Sequence, residues 1–479
     1  MKKKTILLLV ALSLVAMPLA ASAAEFTLGG YIKMETIWDS TQIQKNLLSF
    51  IPRNNNANMQ HGRLIMTAEN SRMWFLIKGP KVWGAETTGY VEWDFDEHAN
   101  VNTAAGGLSY SPNKARLGLR HAFFRLNWPD TELLMGQYWS LLTEEIPETV
   151  SFGADTVSGQ PFLRTPQIRL TQVFGIGPGK LTSSIALCEP GDGLWGLSLD
   201  PTQTAVANNF TGESAETPKV EARVKYEADL WGKGAFWGAP RPFSIRFAGA
   251  WWRERFRDTF ATAAAPQNGI GFGQNSYTNI FYFQRDQQYL NKWIVEGSLF
   301  IPIIPTYTTN FAGTMNLLTQ WYVGSGVDGY FEDFPSTATF MNPVSGLGTA
   351  ANPFAADRYT MNRFGGFVQL QYWFTNQWYM NALYGLTRAF AVPSDWIGIN
   401  NVVGTGAGTD PVKTNQAFYL ALWYRPIQAL KFGLEYTYTR TDYFQSGGAN
   451  VATIGAAPTG TITNLGENHR VMFGGYFFF

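Results

Sequence analysis

Hydrophobic and polar positions alternate with a period of two along most of this chain, and the alternation is clearest at its C-terminal end. Over the last nine residues, one face of the predicted strand carries Val471, Phe473, Gly475, Phe477 and Phe479. An apolar edge of this kind would promote aggregation in water, whereas in a membrane barrel it faces lipid. From this stretch alone, the terminal strand of a soluble sandwich is the alternative.

The same pattern predicts a first strand over 26–38 and a strongly charged strand over 218–230. In the first strand, Lys33 and Glu35 lie opposite a face that contains Phe26, Leu28 and Ile32. In the second strand, every other position is charged: Lys219, Glu221, Arg223, Lys225, Glu227 and Asp229. Regular alternation of charge is incompatible with a sandwich core, and it fits a wall between lipid and water.

The lengths of the connections predict the topology. Connections at 129–130, 175–179, 301–305, 375–376 and 426–427 are short, whereas those near 189–217, 258–286, 324–358, 390–412 and 445–466 are long. Short periplasmic turns that alternate with long extracellular loops are typical of outer-membrane barrels. Because the last strand must run inward, the count closes evenly only if 60–78 is one bulged strand rather than a hairpin. We therefore predict an all-β fold, a transmembrane antiparallel β-barrel of about 16 strands.

The N-terminal segment predicts export. Three lysines at positions 2–4 precede an apolar run over 6–16 and the small residues of 21–24, which is the pattern of a secretory signal peptide. The apolar run is shorter than the roughly 20 residues that a spanning helix needs, which disfavours the alternative of a membrane anchor. We expect a signal peptide over 1–24 and a barrel over 25–479.

Composition narrows the class further. Aromatic residues make up 15% of the chain and charged residues 15%, against about 25% charged in typical soluble proteins. The mean hydropathy of −0.12 argues against a helical membrane protein, and equal numbers of basic and acidic residues give no reason to expect a nucleic-acid partner. With only Cys188 and four histidines, we expect neither a metal site nor a cofactor.

The stretch 140–165 does not alternate and lies between two strong strands. A barrel of about 16 strands leaves an aqueous channel, so we expect this loop to fold inward as a constriction. The predicted constriction pairs loop residues Glu144, Glu145, Glu148, Asp155 and Arg164 with wall residues Arg72, Arg116, Arg120, Arg125, Arg169 and Arg223. Strict alternation puts Arg120 and Arg125 on opposite faces unless a bulge intervenes. The alternatives are an outer cap or a trimer contact for the loop, and solvated lumen positions for the single charges.

Three short segments resemble the DcaP-like family of outer-membrane porins, and the terminal phenylalanine resembles the C-terminal signature of bacterial outer-membrane proteins. The segments are Gly29-Gly30-Tyr31-Ile32-Lys33, Arg120-His121-Ala122-Phe123 and Gly136-Gln137-Tyr138-Trp139-Ser140-Leu141-Leu142. The resemblance implies a 16-stranded barrel in outer-membrane lipid, usually trimeric, that passes small and often anionic solutes such as dicarboxylates. Some members carry an N-terminal helical extension. In this chain the first strand follows the expected cleavage site directly, so a trimer would depend on contacts between barrels.

These observations predict an outer-membrane porin for passive diffusion of small hydrophilic solutes, including anionic organic acids, with at most a mild ion preference. The alternatives are a barrel enzyme of the protease or lipase type and a barrel that sheathes a partner protein. Enzymatic chemistry would need an activated histidine, and the most suggestive candidate is His98, which follows Asp94 and Asp96. We interpret His98 as a solvated loop residue and do not expect an enzyme.

Overall fold

The protein is described here from a computed structural model. The structure describes residues 24–41, 51, 61–97, 116–151, 157–190, 216–256, 288–331, 339–341, 358–391, 412–443 and 465–479. The expected signal peptide therefore lies outside the described residues except for Ala24, as do His98 and Asp155.

One antiparallel sheet closes on itself and forms the barrel. Its strands are β1 (Glu25–Asp39), β2 (Arg63–Thr67), β3 (Arg72–Lys78), β4 (Glu86–Glu97), β5 (Arg116–Asn127), β6 (Thr131–Trp139), β7 (Arg164–Ile176), β8 (Gly179–Cys188), β9 (Lys219–Ala228), β12 (Phe243–Phe256), β13 (Gln288–Ile304), β14 (Met315–Ser325), β17 (Asn362–Trp373), β18 (Trp378–Phe390), β19 (Val412–Ile427), β20 (Leu430–Tyr443) and β21 (Leu465–Phe478). Two smaller pairs complete the described strands: β10 (Gly234–Phe236) with β11 (Ala239–Arg241), and β15 (Thr339–Met341) with β16 (Arg358–Thr360).

The first and last strands pair with each other, so the barrel has no free edge. Strand β1 pairs with β21 from Tyr31 opposite Phe478 to Asp39 opposite Arg470. Both β2 and β3 pair with β1, β2 beside its second half and β3 beside its first half. They are thus two parts of one interrupted strand, which brings the barrel to 16 strands and confirms that 63–78 is not a hairpin.

The outer surface is apolar over the height of the wall. Phe26, Leu28 and Ile32 on β1 are exposed, as are Phe473 and Phe477 on β21. Inside the barrel, the polar partners of this alternation, such as Lys33, are buried. In the part of the chain that the structure describes, no helix is long and apolar enough to cross a membrane. The surface pattern is that of a barrel with lipid outside and a lined interior.

A bulge in β5 resolves the parity of the arginines on that strand. In the pairing of β4 with β5, Glu92 lies opposite His121, but the neighbouring Trp93 lies opposite Leu119. The extra residue, Arg120, is buried together with His121, while Leu119 is exposed. The bulge therefore turns Arg120 inward and keeps Arg125, four positions after His121, on the lumen side as well.

Two connections at the turn end of the barrel differ from the expected short turns. The connection after β13 runs from Pro305 to Thr314, whereas we expected a short turn over 301–305. The connection after β9 contains the hairpin β10–β11, which the alternation did not reveal. In addition, Trp74 lies inside the barrel, where it stacks on Tyr90 with 5.8 Å between ring centroids.

Candidate functional site

Residues 140–151 leave the end of β6 and run inside the barrel, as do residues 157–163, and we call these two described segments the inner loop. Its first turn is fixed to β9, where the carboxylate of Glu221 accepts hydrogen bonds from Ser140 Oγ at 2.9 Å and from the backbone N–H of Leu141 at 2.8 Å. The next carbonyls are bound from farther along the wall, by Arg246 to Leu141 at 3.3 Å and by Gln320 to Leu142 at 3.1 Å.

The middle of the inner loop reaches the opposite side of the barrel. The N–H of Val150 donates to Glu435 of β20 at 2.7 Å. Its carbonyl accepts from Lys33 Nζ of β1 at 2.7 Å and from the hydroxyl of Tyr476 of β21 at 3.0 Å. Farther on, Asn415 of β19 donates to Ser158 at 3.0 Å. The loop therefore crosses the lumen and lies against the wall formed by β12 to β21 and β1.

Glu148 is the most strongly held residue of the inner loop. Its carboxylate pairs with Lys431 and accepts hydrogen bonds from Tyr379 at 2.7 Å and Gln371 at 2.8 Å, and its side chain is 1% exposed. Lys431 Nζ lies 3.8 Å from the ring centroid of Trp423. We predicted Glu148 as a residue at the constriction; with its carboxylate fully engaged, it can act only as an anchor of the loop.

Glu145 is held by a residue of the hairpin β10–β11 rather than by a residue of the barrel wall. Arg241, on β11, donates from both terminal nitrogens to the two carboxylate oxygens of Glu145 at 2.7 Å. Burial alone would raise the pKa of Glu145, but the ion pair and hydrogen bonds with Arg241 outweigh it and lower the pKa. The bidentate geometry fixes both the position and the orientation of the carboxylate.

Glu144 is the loop carboxylate that faces the open part of the lumen. Its side chain is 33% exposed, and it pairs with Arg223 and, at 3.3 Å, with Lys225 on β9. Burial would raise the pKa of Glu144, but the charges of Arg223, Lys225 and Arg246 outweigh it and lower the pKa to about 2. Glu144 is therefore ionised at any physiological pH.

On the facing wall, Arg72 and Arg120 form a compact cluster with two carboxylates. Arg120 donates to Glu92 at 2.9 Å and pairs with Asp94, while Arg72 lies 3.5 Å from Glu92 and 3.9 Å from Asp94. All four side chains are buried or nearly so. Two positive and two negative charges compensate each other here, so this cluster adds little net field to the lumen.

Arg125 and Arg169 form a different arrangement around one tyrosine ring. Their guanidinium groups lie 5.1 Å and 4.9 Å from the ring centroid of Tyr138, and both lie 3.6 Å from the single carboxylate of Glu132. The Nε atoms of both arginines are buried without a hydrogen-bond partner. One carboxylate shared by two arginines leaves net positive charge at this point of the wall.

The remaining space of the lumen adjoins these arginines. A cavity of about 450 Å³ opens toward the turn at 128–131 and lies between the inner loop and the wall from β5 to β9. Its charged lining residues are Arg125, Arg169, Arg223, Asp130, Glu132 and Glu144. The formal charges of this lining balance, and its guanidinium groups are of the kind that bind small anions in transient contacts.

The structure brings most of the predicted site residues to the lumen in three separate groups. Arg125, Arg169, Arg223 and Glu144 line the cavity, Arg72 and Arg120 form the compensated cluster, and Glu145 and Glu148 hold the loop. Arg164 begins β7 with its guanidinium 5.2 Å from the ring of Trp139. Arg116 begins β5, but its side chain lies outside the described residues, as does the whole of Asp155.

Sequence reasoning missed the residues that hold the loop. Arg241 binds Glu145 and Lys431 binds Glu148, and neither of these basic residues was among those predicted for the constriction. Lys431 could have been found from its inward position on β20, because a lysine among apolar and aromatic lumen positions needs a buried partner. Arg470 on β21 is fully buried and pairs with Asp39 at 2.8 Å, so it does not line open space.

The described histidines lie apart from one another. His121 is buried among aromatic rings, 5.0 Å from the centroid of Tyr138. His469 points outward from β21 and bonds to Tyr436 at 2.8 Å, and His61 is exposed. Among the residues that the structure describes, no three His, Cys, Asp or Glu side chains form a group that could hold a metal ion.

Comparison with known proteins supports the fold. No family model matches the sequence, and no curated protein is significantly similar to it. The structure is similar to the outer membrane channel DcaP of Acinetobacter baumannii, with a TM-score of 0.62 and 14% identity over 96% of this chain and 99% of that chain. An anion-selective porin from Comamonas acidovorans gives a TM-score of 0.47 and 9% identity over 95% of this chain and all of that chain. OprB of Pseudomonas putida gives 0.46 and 8% over 96% and 95%. The match to DcaP confirms the 16-stranded fold expected from the family resemblance.

Proposed function

We propose that the protein is a passive diffusion channel of the bacterial outer membrane, with its solute path along the wall from β5 to β9. The observation that carries this proposal is the cavity of about 450 Å³ between that wall and the inner loop. Arg125, Arg169 and Arg223 line it. Flux through such a path needs only a solute gradient, with no covalent step and no cofactor.

The preferred solutes are small and hydrophilic, with a mild preference for anions such as organic acids. The support is Glu132, a single carboxylate that Arg125 and Arg169 share, which leaves their combined charge positive beside the cavity. A guanidinium keeps its charge at any relevant pH and binds carboxylates in a fork geometry. Three acidic groups in the same lining keep the preference mild.

The inner loop is the constriction in this proposal, and Glu144 is the loop charge that solutes meet. Glu145 and Glu148 serve the constriction indirectly, because they hold the loop in place through Arg241 and Lys431. We further propose a homotrimer that rests on contacts between the apolar outer walls. Among the described residues, the lining of this cavity contains no histidine, the residue that the enzyme alternative would need there.

The test is planar-bilayer recording of the purified mature protein. We expect discrete single-channel steps and, under a salt gradient, a reversal potential of the sign that reports anion preference. If protein that resists SDS, and is therefore folded, gives no conductance steps, the channel proposal is overturned. Discrete steps with a clear cation preference would overturn the assigned role of the arginines.

A further inference from the structure

The hairpin β10–β11 starts from the turn end of the barrel, yet its first strand enters the lumen, where Gly234 and Ala235 are buried. Ala235 is fully buried, and its carbonyl accepts a hydrogen bond from Asn316 of β14 at 2.6 Å. Phe236 packs edge-on against Phe300, an inward residue of β13, with 5.9 Å between ring centroids. The hairpin therefore folds back into the barrel from the side opposite to the inner loop.

The hairpin crosses the lumen as far as the strands next to the C-terminus. Trp237, at its tip, lies 5.2 Å from Lys431 Nζ of β20. The tip is a two-residue turn in which Trp237 and Gly238 both have positive φ, 52° and 77°, as a type I′ hairpin requires. A non-glycine residue pays a conformational cost there, and contacts of the Trp237 side chain offset that cost.

Three hydrogen bonds join the hairpin to the inner loop. Trp237 Nε1 donates to the carbonyl of Ile146 at 3.0 Å, and Arg241 forms its double hydrogen bond with Glu145. The hairpin and the loop also contribute to the same apolar clusters. One buried cluster contains Val150 of the loop together with Ala235 of the hairpin, and a second contains Val157 with the partly buried Phe236 packed against it.

We propose that this hairpin is a second lumen-filling element, and that Trp237 and Arg241 are positioning residues that support the inner loop from below and thereby set the width of the solute path. The inference rests on the proposed function. Glu145 and Ile146, which the hairpin holds, directly follow Glu144 in the loop, and both Glu144 and Ile146 line the cavity. A shift of this support changes the distance between Glu144 and Arg223 and hence the narrowest part of the path.

The experiment compares single-channel recordings of Trp237→Phe, Arg241→Gln, Glu145→Gln and the double variant Arg241→Gln/Glu145→Gln. The matched control is Lys233→Gln, which removes a cation from the same connection; the Lys233 side chain is 43% exposed and pairs with the similarly exposed Asp229 at 3.7 Å. Each single variant of the ion pair leaves a buried charge without its partner, whereas the double variant removes both charges.

We expect Arg241→Gln and Glu145→Gln to raise open-channel noise and to raise conductance by up to about twofold, the scale expected if part of the filled lumen opens to water. We expect a smaller change for Trp237→Phe, none for Lys233→Gln, and a return toward wild-type behaviour in the double variant. If the wild type conducts and no variant differs from it, the role of the hairpin is overturned while the proposed function stands. Absence of conductance in the wild type would instead overturn the proposed function.

Discussion

The two sides of the lumen are built in different ways. From β4 to β9, inward side chains border a cavity that Arg125, Arg169 and Arg223 line. From β12 to β21, inward residues such as Trp373 and Trp423 are buried under the inner loop and the hairpin. We call these the open half and the packed half.

This difference shows how one barrel can combine a defined path with a rigid constriction. The packed half resembles the core of a soluble protein, in which apolar clusters and buried ion pairs specify one arrangement. The open half keeps charges beside water, where they act on passing solutes. Changes in the packed half should therefore alter stability and pore size, whereas changes in the open half should alter ion preference.

The largest effect is expected from Glu148→Ala in the packed half. This substitution leaves Lys431 buried among aromatic rings without its carboxylate partner, and breaking a buried pair in this way costs about 3–5 kcal/mol. We expect earlier thermal loss of the SDS-resistant folded form and noisy, enlarged conductance. The control is Glu227→Ala, because Glu227 is 38% exposed and pairs with Lys225 at the surface of the lumen. Equal stability of both variants would contradict the anchoring role of Glu148.

The second prediction concerns the open half and the sign of its ion preference. Arg125→Ala combined with Arg169→Ala leaves Arg223 against Asp130, Glu132 and Glu144 in the cavity lining. One charge at ~6 Å in water is worth ~0.7 kcal/mol, about threefold in ion preference, so two substitutions should shift the permeability ratio by about tenfold. We expect a change from mild anion preference to cation preference in reversal potentials. An unaltered reversal potential would show that ions do not pass these arginines.

The third prediction uses the low pKa of Glu144. Glu144→Gln should increase anion preference by about threefold, the effect of one charge at this distance. Because the arginines and lysine around Glu144 lower its pKa to about 2, its charge is present above that value and is lost only as the pH falls through it. The difference between wild type and variant should thus be the same at pH 7 and pH 4. An ordinary glutamate, with a pKa of about 4.3, would lose most of that difference by pH 4.

The smallest effect is expected on the outer face. Arg253 lies outside the lumen, 5.6 Å from the ring centroid of Trp251 and 5.1 Å from that of Tyr289. Arg253→Gln removes one positive charge from the molecule, as Arg169→Gln does, but from the wrong side of the wall. We expect no change in conductance or reversal potential, and a change equal to that of Arg169→Gln would show that overall charge, rather than position, sets the preference.

The barrel wall was predictable because its physical cause is local. The prediction of 16 strands used the period-two alternation, the direction of the C-terminal strand, and the alternation of short and long connections. The same reasoning predicted one interrupted strand over 63–78, as the structure shows. Strict alternation cannot place both Arg120 and Arg125 in the lumen, so a bulge between them could be anticipated from the sequence. Its position could not, because it depends on how β5 pairs with β4.

The packed half was not predictable, because the same short sequence can lie at an exposed turn or inside the lumen. Trp-Gly followed by Ala occurs twice, at Trp83-Gly84 and Trp237-Gly238, and both form the same turn with positive φ at each position. Trp83 is 66% exposed at the turn end, whereas Trp237 donates to Ile146 inside the barrel. The difference arises from partners far away in the sequence, such as Asn316 and Lys431, which alternation alone does not pair with the hairpin.

The most direct test of the two halves is cysteine accessibility in a Cys188→Ala background, which removes the single native cysteine. Thr171→Cys places a thiol in the cavity lining of the open half, and Thr437→Cys places one on a fully buried inward position of the packed half. The account predicts that a charged methanethiosulfonate reagent lowers the single-channel conductance of Thr171→Cys and leaves Thr437→Cys unchanged. Modification of Thr437→Cys with block of the channel, and no response from Thr171→Cys, would contradict it.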